Sequence, residues 1–405
     1  MKSNTFVLTG ITGHLGRHVF FEIIKDHMSD LDALKIFILG RSSKENSLSK
    51  RIEDILTTDG KDYLMLDSES MRKVKSFNAT NVSYLDINLS GDELIGTDAL
   101  AKLTNVQIDH FLHIAAATSF RTDDKTVQRL HATNVMGTSK ILELVSKLEV
   151  KEFSYVSTAY ACGKTYGAIE PDYTNMDQEF RNPYEKSKLE GELLVHEFAK
   201  KTGIRYRIFR PSTISGRLLE QKKGAINKFD VFYGWVAYFL KWKLPKLQNV
   251  ENLYTEEIAS DIRIAINKNA GINIVPVDFA AKVLYNVCKH NIAGQNFHLV
   301  GEEETPHEYF LTNLLKDIAV TDFSFVKAIP TDPNPFEQHY YATVGAIFTG
   351  YLVQDPIYFK TDNLQDLYKK LNLECPKIND ENLAHLVSYA KSKNFGIKLA
   401  VPETA

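Results

Sequence analysis

A strand, a glycine-rich turn and a helix open the chain, and no other feature limits its fold as strongly. Residues 5–9 (TFVLT) read as a short apolar strand. The turn follows as Thr9-Gly10-Ile11-Thr12-Gly13-His14-Leu15-Gly16. Residues 15–27 then set Val19, Phe20, Ile23 and Ile24 at helical spacing, and residues 35–39 (KIFIL) read as a second buried strand. Such a turn needs glycine for a tight bend, for close approach of the backbone to a pyrophosphate, and for close packing of helix on strand. The helix N-terminus adds free N–H groups and the positive end of its dipole. The spacing is Gly-x-x-Gly-x-x-Gly rather than Gly-x-Gly-x-x-Gly. Its meaning therefore comes from its place between the first strand and the first helix. That place makes Gly10, Thr12, Gly13, His14, Leu15 and Gly16 candidate phosphate-binding residues.

Strands and helices continue to alternate. The patterns predict a helix at 49–56, strands at 82–85 and 110–113, a helix over about 127–148 and a strand at 152–156. A helix at 183–202 and a strand at 205–209 follow. Strands that are continuously apolar, rather than alternating, indicate a parallel sheet covered on both faces. The expected class is α/β: a Rossmann-type doubly wound parallel sheet with helices on both faces over 1–216. A smaller, mostly helical substrate-binding region is expected over 217–292, including a helix at 278–289. The chain should return to the sheet over 293–330, with a strand at 296–300. A helical tail is expected over 331–405, beginning with the break Pro333-Asn334-Pro335. Phe229, Phe232, Tyr233, Trp235, Tyr238, Phe239 and Trp242 cluster in the middle region and include both tryptophans of the chain. They are expected to cover an apolar substrate.

Composition excludes several classes. The 405 residues include 48 basic and 51 acidic side chains, a net charge of −3. A chain so balanced has no general electrostatic pull on nucleic acid, and none is expected as a partner. The three cysteines, Cys162, Cys288 and Cys375, are too sparse for a disulfide framework or a zinc site. They read as reduced thiols of a cytoplasmic protein, and no metal is expected. Residues 1–4 carry no small-residue cleavage site, so no signal peptide is expected. No apolar run approaches the ~20 residues of a membrane span. The longest, 231–240, reads as a buried or lid helix. Oligomeric state is left open.

The second strand ends Leu39-Gly40-Arg41, and no carboxylate follows until Glu45. A dinucleotide site usually places an acidic residue here for the ribose 2′-hydroxyl. An arginine suits a 2′-phosphate instead, because a guanidinium forks onto phosphate oxygens. The expected cofactor is therefore NADPH rather than NADH. Arg51 reads either as a second phosphate contact or as a solvated helix charge.

Tyr184-Glu185-Lys186-Ser187-Lys188 places a tyrosine and a lysine four apart on a predicted helix, hence on one face. An ammonium beside a phenol favours the phenolate and lowers the tyrosine pKa. The spacing alone does not select this pair, since Tyr160/Lys164, Tyr285/Lys289 and Tyr389/Lys393 share it. Only Tyr184 opens a helix just after a strand that ends in hydroxyls, Val156-Ser157-Thr158. Hydroxyls at the carboxyl end of a parallel strand lie in the crevice where such sheets bind ligands.

With these residues in order, the chain resembles the extended short-chain dehydrogenase/reductases over about residues 5–300. The landmarks are the glycine turn, Asp86-Ile87, His113-Ile114-Ala115-Ala116, Asn134-Val135-Met136-Gly137-Thr138, Ser157-Thr158, Tyr184/Lys188 and Arg210-Pro211-Ser212. The resemblance implies that Tyr184 is the general acid, and that Lys188 lowers its pKa and binds the nicotinamide ribose. It implies that Thr158 is the catalytic hydroxyl, with Ser157 the second choice. Asp86 and Ile87 would flank the adenine, Ala115 and Ala116 would line the cofactor, and Asn134 would support the active site. Pro211 and Ser212 would lie near the nicotinamide.

Within that family the chain looks most like the thioester reductases and fatty acyl-CoA reductases. The segments that carry this likeness are Val156-Ser157-Thr158-Ala159-Tyr160, Arg210-Pro211-Ser212, the aromatic block from Phe229 to Trp235, and Val275-Pro276-Val277-Asp278. The implied reaction is NADPH-dependent reduction of an acyl thioester, on CoA or a carrier protein, to an aldehyde, with the further step to an alcohol left open. The rival expectations are a sugar-nucleotide epimerase or dehydratase and a hydroxysteroid-type dehydrogenase on the same fold. A non-catalytic NADPH-binding regulator is a third, disfavoured by the intact Thr158, Tyr184 and Lys188.

Overall fold

The computed structural model describes residues 4–399. Seven strands form its main sheet: β1 (Asn4–Thr9), β2 (Leu34–Gly40), β3 (Val82–Asp86), β4 (Gln107–His113), β5 (Glu149–Val156), β6 (Arg205–Pro211) and β7 (Asn296–Leu299). Their order is β7-β6-β5-β4-β1-β2-β3, and every pair is parallel. The order reverses between β1 and β4, and in such sheets ligands bind beyond the carboxyl ends of the strands at that point. The Rossmann-type doubly wound expectation is met.

Apolar runs such as Phe6-Val7-Leu8 and Ile36-Phe37-Ile38 are buried because both sheet faces are covered. On one face lie α1 (His14–Asp26) and the helix Val277–Lys289, which contact each other and share a core with Ile38, Phe209 and Phe297. On the other face, Ile141 and Leu142 of the helix Gly137–Val145 and Val195 of the helix Pro183–Thr202 pack with Val7, Phe111 and Phe153.

A second core lies outside this sheet. It joins the helices Phe232–Lys243, His307–Asp317 and Asp380–Ser392 with the parallel strand pair Ile258–Ala265 and Val320–Val326. Two short strand pairs tie later segments to the sheet region: Ile274–Pro276 on Thr213–Ser215, and Ile357–Phe359 on Gly167–Ile169.

Three expectations change. The region 217–292, though richer in helix than strand, also holds Ile258–Ala265, which pairs with a strand more than fifty residues on and which no local pattern reveals. Its last helix, Val277–Lys289, belongs to the sheet's own core through Phe279, Val283, Leu284 and Val287, and it meets α1 through Lys282 on Glu22 and Tyr285 on Asp26. The helix expected over 127–148 divides into Asp124–Leu130, a π-helical stretch His131–Met136 and Gly137–Val145. Such π-turns occur often at functional sites, and this one carries Asn134.

Candidate active site

The glycine turn is built for close approach. Gly10 has φ +79°, and a Cβ there would meet the Ala115 nitrogen at 2.6 Å. A Cβ on Gly16 would collide with the Gly10 carbonyl. Gly13 caps α1 with no side-chain bond, so no side chain occupies the helix's N-terminal amides. Thr9 Oγ1 accepts from the Ile114 and Ala115 nitrogens at 3.0 and 3.1 Å, which fastens the turn after β1 to the loop after β4. Arg17 donates to the carbonyls of Thr12 and Gly13 and pairs with Asp59, bracing the turn from behind. Sequence reasoning passed over Arg17, although its position four residues beyond Gly13 placed it one helical turn away. The His14 ring meets Ser215 O at 3.0 Å and Asn227 Oδ1 at 2.6 Å, and burial lowers its pKa.

This turn opens one continuous cavity of about 680 Å³. Arg41, Arg51 and Ile87 line one end. Arg51 donates to the Arg41 carbonyl at 2.6 Å, so the two residues act on one stretch of wall. Gly10, Thr12, Gly13, His14, Leu15 and Gly16 line the cavity with Ala115 and Ala116 after β4, Ser157 and Thr158 after β5, and Pro211 and Ser212 at the end of β6. Tyr184 and Lys188 also line it, as do the apolar rings of Phe232, Trp235, Phe310 and Phe348.

Two expected residues, Asp86 and Asn134, are not among those that line the cavity. The Asp86 carboxylate accepts from the Ser42 nitrogen at 2.6 Å and from its hydroxyl at 3.0 Å, shaping the loop that presents Arg41. Asp86 is exposed at the end of β3, next to the cavity-lining Ile87. Asn134 holds the Ala117 backbone through both amide atoms and donates to Ser187 at 3.0 Å, a supporting position.

The lysine behaves differently from expectation. Lys188 is 1% exposed and donates to the Tyr155 hydroxyl at 2.7 Å rather than to Tyr184. Burial pulls its pKa down to about 7, against the opposing pull of Glu192. Burial, with Asp230 and Glu185 adding to it, pushes the Tyr184 phenol above its ordinary value. Burial is the largest influence on Tyr184, and Lys188, turned to Tyr155, is not among the charges that act on it. Thr158 Oγ1 has only long contacts, accepting from the Tyr160 nitrogen at 3.3 Å and donating to the Pro211 carbonyl at 3.4 Å. The hydroxyls of Ser157 and Ser212 are buried and have no partner among the described residues.

The tail contributes directly. Tyr351, on the helix Val344–Leu352, donates to the buried Glu185 carboxylate at 2.6 Å and accepts from Asn182 at 2.6 Å. Asn182 caps the helix that carries Tyr184 and Lys188. Phe120 lies 5.7 Å from the Tyr184 ring and 5.8 Å from the Tyr351 ring. The aromatic block does less than expected. Of its rings only Phe232 and Trp235 line the cavity, while Tyr238, Phe239 and Trp242 pack against Phe336.

The residues present fit a dinucleotide. The turn packs so closely on the loop after β4 that a Cβ at Gly10 would strike it, the uncapped amides of α1 follow the turn, and the unpaired hydroxyls of Ser157 and Ser212 line the same cavity. Possible metal ligands meet elsewhere, at His110, Glu152 and Cys288. Arg207 already pairs with Glu152 at 3.0 Å, and burial raises the Cys288 thiol to about 12, so the cluster suits an ion pair better than a cation.

Fold and site together define an extended short-chain dehydrogenase/reductase. Residues 8–284 match the NAD_binding_4 family, described as male sterility protein, and the chain belongs to it. The putative UDP-glucose 4-epimerase of Methanocaldococcus jannaschii is 24% identical over 256 residues, covering 60% of this chain and 79% of that protein. The carboxylic acid reductase of Segniliparus rugosus is 25% identical over 315 residues, 75% of this chain. The match spans 24% of that reductase's length. The terminal R domain from the myxalamid PKS-NRPS biosynthetic pathway is similar in fold, with a TM-score of 0.69 and 18% identity. That likeness covers 100% of this chain and 93% of the R domain. Among the described residues no helix is long and apolar enough to cross a membrane.

Proposed function

We propose that this chain is an NADPH-dependent reductase of acyl thioesters, on CoA or a carrier protein, giving an aldehyde and, in a second round, an alcohol. The observation that carries the reading is the single cavity. Its wall includes two arginines, the glycine turn, Thr158, Tyr184 and Lys188, and a set of apolar rings. The likeness to a carboxylic acid reductase and to an R domain supports it.

The glycine turn and the α1 N-terminus would hold the pyrophosphate, and Arg41 with Arg51 a 2′-phosphate. Bound there, the nicotinamide supplies a hydride to the thioester carbonyl carbon. Thr158 and Tyr184 would donate hydrogen bonds to the carbonyl oxygen as negative charge builds on it. The raised pKa of Tyr184 keeps the phenol protonated at neutral pH, as a donor must be. Loss of the C–S bond then frees the aldehyde, and the departing thiolate takes up a proton. Phe232, Trp235, Phe310 and Phe348 would face the acyl chain, and Glu185, Asn182 and Tyr351 would hold the Tyr184 helix against the tail.

A sugar-nucleotide epimerase is the second reading, favoured by the likeness to the Methanocaldococcus jannaschii protein. Arg41 and the apolar wall speak against it. The deciding experiment is NADPH oxidation with CoA thioesters of graded chain length, followed by product analysis. Aldehyde or alcohol formation is expected. Turnover of UDP-hexoses, with no thioester reduced, would replace this reading by the second.

A further inference from the structure

His307 begins the helix His307–Asp317 and lines the cavity, yet it is 2% exposed. Neither ring nitrogen makes a well-formed hydrogen bond among the described residues, and the Tyr351 backbone is the one polar group close to the ring. The Tyr351 backbone is near enough to favour its protonation, but burial dominates and draws its pKa down to about 4. The ring is therefore neutral at pH 7, with one N–H donor and one acceptor nitrogen. Gln354, 5% exposed, lines the same cavity, and its side-chain oxygen is also unpartnered among the described residues.

Both residues hang from one turn. The His307 nitrogen donates to Ala270 O, and Asn267 donates to Gln354 O at 3.0 Å. The Ala270 nitrogen closes the turn onto Asn267 O at 3.2 Å. Around them the wall is apolar, made by Ile272, Phe310, Leu311, Phe348 and Leu352. A polar atom buried without a partner is costly. Two such side chains on one apolar wall call for an occupant that supplies the missing partners. The neutral imidazole and the amide suit an uncharged group that both donates and accepts, and the apolar surroundings disfavour a charged one.

We propose that His307 and Gln354 form a polar subsite that selects acyl groups bearing a hydroxyl or an amide within the chain over plain hydrocarbon chains. This rests on the thioester reading above and narrows its substrate class. A site built to hydrogen-bond a substrate group discriminates against the analogue that lacks it, because its own buried atoms are then left unpaired.

The test uses the full chain with NADPH and a matched set of CoA thioesters. The set contains saturated chains and chains of equal length with one hydroxyl or one internal amide at successive positions. The wild-type kcat/KM is expected to favour at least one polar member by about 10–100-fold over its hydrocarbon match. His307→Phe and Gln354→Leu should each shrink that ratio by about tenfold or more, and His307→Asn, which keeps a donor and an acceptor, should retain part of it. The pantetheine arm is common to the set and cancels in the ratio. A wild-type ratio near one with good turnover of plain chains would overturn the subsite and leave the thioester reading standing. Equal loss on polar and plain members in the variants would also overturn it, by placing His307 on the pantetheine arm or in folding. No reduction of any thioester would instead sink the thioester reading itself, and the subsite with it.

Discussion

Lys188 Nζ lies 2.7 Å from the Tyr155 hydroxyl and 4.1 Å from the centre of the Tyr155 ring. The phenol and the π face both favour the ammonium, yet burial still holds the lysine at about 7. Lys188 is thus a group that changes protonation near neutral pH inside the folded chain.

That position has a consequence for stability. Between about pH 7 and the ordinary lysine value of ~10.4, the unfolded chain holds a proton that folded Lys188 lacks. Stability therefore rises with pH across this window through this group, by up to ~1.4 kcal/mol per unit. Lys188→Met should remove the rise. Urea unfolding of both proteins without added cofactor, from pH 7 to 9, should show the wild type gaining on the variant as pH increases. A constant difference would show that Lys188 titrates near its ordinary value.

Tyr184→Phe should keep dinucleotide affinity within a few-fold and cut turnover by about 10²–10⁴-fold, the scale of general acid catalysis. Fluorescence titration with NADPH checks the first part and single-turnover kinetics the second. Wild-type turnover in the variant would remove Tyr184 from the chemistry.

Ser157 and Thr158 offer two hydroxyls to the cavity in different states. Thr158 has long contacts that a developing oxyanion can replace, whereas the Ser157 hydroxyl has none among the described residues. Thr158→Val should lower kcat by about 10²–10³-fold, as loss of one oxyanion donor does. Ser157→Ala should cost less than about tenfold. The opposite ranking would move the role to Ser157.

Arg41→Ala should weaken NADPH much more than NADH, by about tenfold or more, because only the 2′-phosphate engages the guanidinium. Arg51→Ala should act in the same direction, since it also frees the Arg41 carbonyl. Calorimetric titration with both cofactors decides. Equal losses for the two would contradict a 2′-phosphate role.

Gly10→Ala places a Cβ 2.6 Å from a backbone nitrogen at a φ of +79°. It should destabilise the chain by at least ~1 kcal/mol and weaken dinucleotide binding, because the turn must open to admit the methyl. Thermal unfolding with and without NADPH reads both effects. An unchanged midpoint would mean that the turn is not held against the loop after β4.

Much of the molecule was legible before its structure. The Tyr184–Lys188 pair sits one helical turn apart, and the glycine turn lies between adjacent elements, so both are local facts of the chain. The partner that Lys188 holds was not legible. Tyr155 is thirty-three residues upstream, on a strand where it reads as one more buried aromatic. The tail's role was equally hidden. Tyr351 reaches Glu185 across 166 residues, and nothing in its own segment marks it as part of a site. The aromatic block shows the converse failure. Its composition suggested a substrate wall, but helical geometry turns Tyr238, Phe239 and Trp242 away to pack on Phe336.

By itself the sequence determined the parallel sheet, the dinucleotide turn and the residues of the Tyr–Lys helix, because periodicity and short spacings act within a few residues of each other. Only the tertiary structure decided which groups desolvate one another. It placed Lys188 on Tyr155, Asp86 on the loop that follows Arg41, and His307 with Gln354 on an apolar face. Burial, and with it the charge state and the unmet hydrogen bonds of a site, depends on neighbours brought together from distant parts of the chain.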